Sequence, residues 1–424
     1  MKRKIAIITL ALTLTLSGCG VQPVESPGVL QGESIQDTNS QESETQTDDL
    51  MGSSEQESSE ESKSGKDDKE LPTGGEKNPI TEREVKDGKM QSYLTGEWKD
   101  EEVVKRRNMA VMIPNNERAG YNSSSPKLHQ YGISQASIIY EAPVEGRITR
   151  LMCIFEDYDD LGKIGPIRSS RDYYIYEAMT FDSIYVNWGL ARPWVEELIN
   201  SDRVDNISAA VAGIYNGYDA AFFRDTSLLP GAASEFTGYL NVDKYTSGVE
   251  TRGYKKNYRS TFEQAFCFAN DCLATYDDYP DATMVWPGGT EQNSGGYGNY
   301  GKDNVHFEYN EEDRLYYRYQ YGEPMVDNMN EEQIAVTNVV FKVCHGEERL
   351  PDNPEYDYLA FGIHGSGDCY IFTNGKVIKG TWERKSDNGA NYYYDRDGNE
   401  IVLNQGKTWM CCIWKEYSQY ISYE

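Results

Sequence analysis

Residues 137–155 read SIIYEAPVEGRITRLMCIF, and this stretch decides the fold of the chain. Two apolar runs, Ser137–Ala142 and Ile148–Phe155, lie on either side of the short segment Val144–Arg147. Runs of this length, rich in Ile, Tyr and Phe and separated by a glycine-containing turn, are typical of a β-hairpin. The stretch therefore predicts two antiparallel strands and a sheet to which they belong.

The segments around this hairpin predict that the sheet is mixed and carries helices. Met109–Ile113 is a short apolar run before a Pro-Asn-Asn turn, and Ile184–Trp188 alternates apolar and polar residues. Both patterns indicate further strands. Between them, Asp172–Met179 has a helical pattern, for which Ser169 or Ser170 is a suitable N-cap.

The second half of the chain has the pattern of an antiparallel sheet. Asn374-Gly375 and Asp397-Gly398 each separate two strand-like runs, and such dipeptides are strong signals of hairpin turns. Before this region, Phe262–Ala274 predicts a helix and Gly288–Gly301 a glycine-rich loop. We therefore expect an α+β protein with a first α/β domain containing a mixed sheet at residues 93–245, a bridging helix and loop at 246–303, and a largely antiparallel, β-rich second domain at 304–424.

The N-terminus has the features of a secretory signal. Lys2–Lys4 is positively charged, and Ile5–Leu16 is an apolar run shorter than the roughly 20 residues that a membrane-spanning helix needs. The following Leu16-Ser17-Gly18-Cys19 resembles the bacterial lipobox, in which the cysteine is diacylated and becomes the new N-terminus. The sequence therefore predicts a signal peptide at residues 1–18 and a lipid on Cys19 that anchors the protein to the extracytoplasmic face of the cell membrane.

Residues 19–92 have the composition of a disordered tether. Acidic residues outnumber basic ones there, and Tyr93 is the first aromatic residue of the chain. Such a segment cannot bury enough apolar surface to offset its ordering entropy. The 424-residue chain has a formal net charge of −28, whereas nucleic-acid binding needs a concentrated basic face. We therefore expect no nucleic-acid partner, and the lipid is the expected membrane contact.

The cysteines and histidines give no pattern of a metal site. Of the 8 cysteines, Cys19 is assigned to the lipid, and the odd number that is left predicts at least one free thiol or an intermolecular bond. One disulfide in the C-terminal half is compatible with the sequence, without a defined pairing. Adjacent Cys411 and Cys412 should face opposite sides of a sheet. Neither the cysteines nor the 4 histidines have metal-ligand spacing, so no metal or cofactor is expected.

The run Gly165–Arg171, GPIRSSR, is the strongest candidate for a binding site. A helix N-terminus offers unpaired N–H groups and a partial positive charge, and arginine forks suit carboxylate or phosphate groups. An arginine one strand earlier could join them. The candidate binding residues are Arg150, Arg168, Ser169, Ser170 and Arg171. The structural alternative is that these arginines pair with internal acids such as Glu141 and Glu145.

The chain also resembles a known family, the YerB-type bacterial lipoproteins, over about residues 93–417. The resemblance implies a two-domain α+β lipoprotein whose domains have no assigned activity. In the first domain it rests on Met112-Ile113, Asn115-Asn116, Gln135-Ala136, Tyr140-Glu141, Glu145-Gly146, Ile148–Arg150 and Gly165–Arg171. In the second it rests on Asn374–Lys376, Trp382, Tyr394-Asp395, Gly398 and Asn404–Trp409.

Two functional hypotheses follow. In the first, the lipid-anchored protein binds an anionic envelope component or a partner protein through its first domain. In the second, it is a hydrolase of cell-wall polymer, with Glu141, Glu145 or Asp172 as the acid or base. Paired carboxylates with a raised pKa in a cleft would favour the enzyme, and a basic pocket would favour binding.

We predict that the mature protein begins at an acylated Cys19. In Cys19→Ala the lipid has no attachment point, so the variant should leave the detergent phase in a phase-partition experiment on cell extracts. Wild-type protein, the control, should stay in the detergent phase. A Cys19→Ala variant that still partitions with the membrane would contradict the lipid anchor.

Overall fold

The computed structural model describes residues 83–120, 122–270, 273–289, 300–350 and 358–424. The predicted signal peptide, Cys19 and most of the predicted tether lie outside these residues. The described residues belong to one compact unit of the chain.

The described residues contain four α-helices and 25 β-strands. The helices are α1 (Glu101–Lys105), α2 (Asp172–Thr180), α3 (Glu196–Ile199) and α4 (Val242–Arg252). The strands are β1 (Val85–Lys86), β2 (Lys89–Gln91), β3 (Trp98–Asp100), β4 (Met109–Asn115), β5 (Ile138–Val144), β6 (Ile148–Phe155), β7 (Lys163–Ile164), β8 (Ile184–Asn187), β9 (Asn206–Ser208), β10 (Phe222–Arg224), β11 (Gly238–Asn241), β12 (Cys267–Phe268), β13 (Met284–Trp286), β14 (His306–Asn310), β15 (Leu315–Gln320), β16 (Glu323–Pro324), β17 (Ala335–Val336), β18 (Asn338–Arg349), β19 (Tyr358–Gly362), β20 (Gly365–Thr373), β21 (Lys376–Arg384), β22 (Tyr392–Asp395), β23 (Val402–Leu403), β24 (Thr408–Trp414) and β25 (Ser422–Tyr423).

A long mixed sheet forms the centre of the molecule. Its strand order is β22-β21-β20-β18-β24-β5-β6-β4-β8-β9, and β19 pairs with the outer part of β18. The hairpin predicted at residues 137–155 is present as β5 and β6, with Ile138 opposite Ile154 and Val144 opposite Ile148. β8 and β9 add to β4 in the parallel direction. The mixed sheet with helices that the first part of the sequence predicts is therefore confirmed.

Strand β24, near the end of the chain, lies between the two halves. It pairs in parallel with β18 on one side and with β5 on the other, so that Met410 lies opposite both Val340 and Tyr140. One sheet thus contains strands from residues 109–208 and from residues 338–414. The domain boundaries that the sequence predicts are crossed by this continuous hydrogen bonding.

Each face of the central sheet carries its own apolar core. One core contains Met112, Met152 and Cys412, and the other contains Val111, Leu151 and Cys411, as expected from the alternation of side chains along a strand. The prediction that adjacent Cys411 and Cys412 face opposite sides is confirmed. Five of the described cysteines are buried free thiols: Cys153, Cys344, Cys369, Cys411 and Cys412.

The second half adds antiparallel strands, as predicted. A separate sheet has the order β16-β15-β14-β13-β25, and all of its pairings are antiparallel. In the central sheet, β20 and β21 meet at the Asn374-Gly375 turn, with Thr373 opposite Lys376. The isolated bridge between Tyr394 and Glu400 closes the Asp397-Gly398 turn.

The predicted helix at Phe262–Ala274 is wrong. The described part of this segment is extended, and its only regular element is β12, which pairs in parallel with β23. Its apolar side chains, among them Phe266, Phe268 and Ala274, are buried against the central sheet. The Asn404 side chain bonds both the N–H and the carbonyl of Ala274, which replaces the hydrogen bonds of a helix.

A helix occurs instead at α4, where the sequence analysis predicts none. The Asn241 side chain accepts a hydrogen bond from the Lys244 N–H and caps the first turn. Gly253 ends the helix with a φ of 67°, a left-handed conformation that glycine adopts at little cost.

Ordered structure begins before the predicted end of the tether at residue 92. Strands β1, β2 and β3 form a small antiparallel sheet, and Met90 is fully buried against Tyr93 and Val104. Ser92 donates to the buried carboxylate of Glu156 at 2.7 Å, which fixes this sheet to the end of β6.

A buried ion pair connects α2 to the central sheet. Lys342 Nζ on β18 lies 2.5 Å from Glu177 Oε1, and both side chains are fully buried. Asn391 bonds both partners, and the Arg384 guanidinium is 3.8 Å from the same carboxylate. The pair is thus surrounded by further polar groups that complete its hydrogen bonding.

We predict that Lys342→Met destabilises the protein by about 3–5 kcal/mol, because it leaves the Glu177 carboxylate buried without its closest cation. Urea unfolding at neutral pH measures the loss. Lys415→Met, at an exposed lysine, is the matched control and should change the free energy of unfolding by about 0.5 kcal/mol or less. Equal stabilities of the two variants would contradict the role of the pair.

Candidate functional site

The candidate arginines lie where β6 begins and where the chain runs from β7 to α2. This connecting segment is held between two strands of the central sheet. The Arg168 N–H donates to the Met112 carbonyl of β4 at 2.9 Å, and the Trp188 N–H donates to the Arg168 carbonyl at 3.0 Å. Arg150 lies opposite Pro114 at the end of β4. The backbone therefore brings Arg150, Arg168 and Arg171 to the same end of the sheet.

Arg171 forms a fork with Glu145 of the hairpin turn. Its Nε lies 2.9 Å from Oε1 and 3.0 Å from Oε2, and its Nη2 also contacts Oε2. Burial alone would raise the pKa of Glu145, but the charge and hydrogen bonds of Arg171 outweigh it and lower this pKa below its usual value. The structural alternative for Arg171, a pairing with Glu145, is thus present.

Arg168 is less tightly held. Its Nη1 donates to the Glu235 carbonyl at 3.2 Å and is 3.6 Å from the Glu235 carboxylate, and its guanidinium lies over the Phe236 ring. The side chain is 15% exposed and that of Glu235 is 38% exposed. Arg168 is therefore the arginine of the group that solvent reaches most easily.

Arg150 is buried without a carboxylate partner among the described residues. The residue is 4% exposed, its Nη1 donates to the Ser169 carbonyl at 2.7 Å, and its Nε has no hydrogen-bond partner. Burial first, and then the charges of Arg171 and Arg168, lower the pKa of Arg150 to about 9. Three guanidinium groups therefore share a partly buried space in which Glu145 is, among the residues that the structure describes, the one closely bound carboxylate.

The two serines support this arrangement through the backbone and neighbouring side chains. Ser170 Oγ lies 2.9 Å from the Tyr185 hydroxyl in the core. Ser169 Oγ makes a long contact of 3.5 Å to the Trp188 carbonyl. The prediction that Ser169 or Ser170 is the N-cap of α2 is wrong, because Arg171 holds that position and makes no side-chain cap.

An acidic residue of the protein, Asp172, already lies at the N-terminus of α2. Asp172, in the first turn, accepts a hydrogen bond from the Tyr173 N–H at 3.0 Å. Arg349 of β18 lies 2.6 Å from the other oxygen of Asp172. An anion at this site would therefore be bound by guanidinium groups and not by the free N–H groups of the helix.

Glu141, a candidate acid or base, is fully buried, and both of its carboxylate oxygens accept hydrogen bonds. One carboxylate oxygen accepts hydrogen bonds from Thr149 (2.7 Å) and Asn115 (3.1 Å). The other accepts from Arg318 (2.9 Å) and from the Trp409 indole (3.0 Å). These bonds occupy the lone pairs that acid or base chemistry needs, so that Glu141 stabilises the fold.

Neither of the other two candidate acids has the environment of a general acid. Glu145 is held ionised by Arg171, and Asp172 is paired with Arg349. Sequence reasoning missed Arg318 as the partner of Glu141, and the two are 177 residues apart. In the sequence, the position of Arg318 in the alternating pattern of β15 was the available signal that its side chain points inward, between half-buried neighbours.

The described residues lack the features of a metal centre and of a membrane-spanning helix. They contain no cluster of three or more His, Cys, Asp or Glu side chains that could hold a metal ion. None of their helices combines the length and apolar character that crossing a bilayer requires.

Comparison with known proteins places both halves of the chain. The N-terminal domain model of a protein family of unknown function, DUF3048, matches residues 94–255, and its C-terminal domain model matches residues 297–410. YerB of Bacillus subtilis (strain 168), whose name classes it provisionally as a lipoprotein, is 25% identical over 326 residues, which are 76% of this chain and 86% of YerB. The crystal structure of YerB from Bacillus subtilis is similar with a TM-score of 0.61 at 23% identity, over 79% of this chain and 99% of that one. This structural likeness supports the α+β fold.

We predict that Glu145→Gln lowers the free energy of unfolding at pH 7 by about 1.5–3 kcal/mol, the usual range for a hydrogen bond to a charged group. Because the pKa of Glu145 is lower in the folded state, its contribution is complete above the unfolded value of about 4.3. It is lost as the pH falls through the folded value.

Urea unfolding at several pH values tests this dependence. The gap between wild type and Glu145→Gln should close in acid, whereas the exposed Glu416→Gln control should show almost no gap at pH 7. A gap that is the same at every pH would show that the charge of Glu145 is not what stabilises the fold.

Proposed function

We propose that this chain, which belongs to the YerB family of lipoproteins with two domains of unknown function, binds an anionic component of the cell envelope through Arg150, Arg168 and Arg171. A lipid on Cys19 anchors it at the extracytoplasmic face of the membrane. The single observation that carries the proposal is the buried Arg150 guanidinium with no carboxylate partner among the described residues.

The balance of charge around Arg150 supports an anionic ligand. Buried charges in proteins are normally paired, because an isolated one is costly to remove from water. The Glu145 carboxylate already binds Arg171 through both of its oxygens. The Glu235 carboxylate is farther from Arg168, at 3.6 Å, and is more exposed to solvent. Burial, and after it the charges of Arg171 and Arg168, lower the pKa of Arg150, and one added negative charge would offset both effects.

A ligand would reach the site most easily beside Arg168. This side chain and that of Glu235 are the partly exposed members of the group, and their carboxylate contact is 3.6 Å. A phosphate or carboxylate could replace the Glu235 carboxylate on Arg168, since both groups accept two parallel hydrogen bonds from a guanidinium fork. An acidic side chain of a partner protein offers the same chemistry.

The overall charge restricts how such a ligand is recognised. With a formal net charge of −28 the protein does not attract anions over long distances. Recognition therefore depends on short-range contacts at the arginines, and the lipid on Cys19 keeps the protein close to its ligand. The similarity to YerB, whose name classes it provisionally as a lipoprotein, supports the anchor.

The hydrolase hypothesis has less support. Its three candidate acids are each held by an arginine: Glu141 by Arg318, Glu145 by Arg171 and Asp172 by Arg349. A general acid at neutral pH needs a raised pKa, whereas Arg171 lowers the pKa of Glu145.

We expect inorganic phosphate to raise the melting temperature of the soluble protein above its value in chloride at equal ionic strength. Arg168→Gln removes the most accessible guanidinium while leaving the buried Arg171–Glu145 fork in place. It should weaken phosphate binding about 10- to 150-fold, the equivalent of about 1.5–3 kcal/mol. Titration of the melting temperature against phosphate measures the effect.

The matched control is Arg396→Gln, because the Arg396 side chain is 82% exposed and lies far along the chain in the turn after β22. It should respond to phosphate as the wild type does. The proposal fails if phosphate gives the wild type no more stability than chloride, or if Arg168→Gln retains the full response.

A further inference from the structure

A cavity of about 200 Å³ lies at the same end of the central sheet as the arginines. Asn115 and Gln130 line it from one side and Gln320 and Tyr321, at the end of β15, from the other. Asn115 and Thr149 are on the face of the sheet opposite to Arg150, since side chains alternate along β4 and β6. The cavity is therefore separate from the arginine site.

The side-chain amides of Asn115, Asn116 and Gln130 line this cavity. The NH₂ groups of Asn115, Asn116 and Gln130 are used for bonds within the protein. Asn115 donates to Thr149 at 2.7 Å, Gln130 donates to the Pro114 carbonyl at 2.7 Å, and Asn116 donates to the Arg118 carbonyl. No hydrogen bond of the described residues uses the three side-chain oxygens, which leaves them as acceptors for a ligand.

Gln320 supplies a buried donor. The residue is 5% exposed, and its side-chain oxygen accepts a hydrogen bond of 3.4 Å from Arg318, which in turn holds Glu141. Its Nε2 lies beside the Tyr321 hydroxyl but has no partner of good hydrogen-bond geometry among the described residues. A buried donor without an acceptor costs free energy, and an acceptor on a bound ligand would remove that cost.

The charge of the cavity is nearly balanced. At its rim Lys127 lies 2.5 Å from Glu323. Behind Tyr321, burial raises the pKa of Asp303 to about 7, so this carboxyl carries only part of a negative charge at neutral pH. Met325 and the 40% exposed Val326 add apolar surface to the wall.

We infer that this cavity binds an uncharged saccharide unit. A sugar hydroxyl both donates and accepts, which matches three amide oxygens and one buried amide donor. The C–H face of a sugar ring suits the apolar wall. An anion would meet the exposed carboxylates of Glu117 and Glu323, and the balanced rim offers no excess charge to a cation.

Isothermal titration with a trisaccharide of N-acetylglucosamine and, separately, a trisaccharide of glucose tests the inference. At least one should bind the wild type with a dissociation constant of about 1 mM or tighter. Gln320→Met removes the buried donor at nearly constant volume, and it should weaken that binding about two- to tenfold, as expected for a neutral hydrogen bond. Asn116→Leu, at the half-exposed lip of the cavity, should weaken it similarly.

Gln419→Met is the control, because Gln419 is exposed in the C-terminal segment, and it should bind as the wild type does. Circular dichroism confirms that each variant is folded. Gln320→Met should keep the response to phosphate, so the failure of one site is distinguishable from the failure of the other. The inference is overturned if neither trisaccharide binds the wild type, or if binding is unchanged in the folded Gln320→Met and Asn116→Leu variants.

Discussion

Two buried carboxylates on opposite faces of the central sheet make its two halves depend on each other. Glu141 lies on one face and is neutralised by Arg318, and Glu177 lies under the other and is neutralised by Lys342. In both pairs the acid comes from the first half of the chain and the base from the second. Because a buried charge without its partner costs several kcal/mol, neither half can keep this packing alone. The parallel insertion of β24 between β18 and β5 reinforces the dependence.

The arginine site is where this matching of buried charges is incomplete. Arg318 and Lys342 are fully buried and each has a carboxylate at hydrogen-bond distance. Arg150 is almost as buried, and within the described part of the chain its hydrogen-bond partner is the Ser169 carbonyl alone. A fold that loses stability through such a group regains it when an anion binds, since a ligand that binds the native state alone stabilises that state. The same free energy that destabilises the empty protein is therefore available for binding.

Local features could be predicted from the sequence, and distant pairings could not. The β5–β6 hairpin and the Asn374-Gly375 turn were predicted because turn residues and strand residues are neighbours in the chain. The Glu145–Arg171 pair, 26 residues apart, was foreseen as one alternative. The Phe262–Ala274 helix failed because closely spaced apolar residues suit an extended segment that packs on a core as well as a helix. No local pattern indicates that β24 pairs with β5, 270 residues earlier in the chain.

The two candidate sites are connected through the geometry of one strand. Thr149 and Arg150 are consecutive on β6, so their side chains point to opposite faces. Thr149 bonds Asn115, which lines the cavity, and Arg150 lies with the other arginines. Shifting β6 by one residue would exchange these faces and bury Arg150 against Glu141 and Thr149 against the other core. The register is fixed because seven residue pairs join β6 to each of β4 and β5. A rigid strand of this kind holds both sites in place without requiring that a ligand at one alters the other.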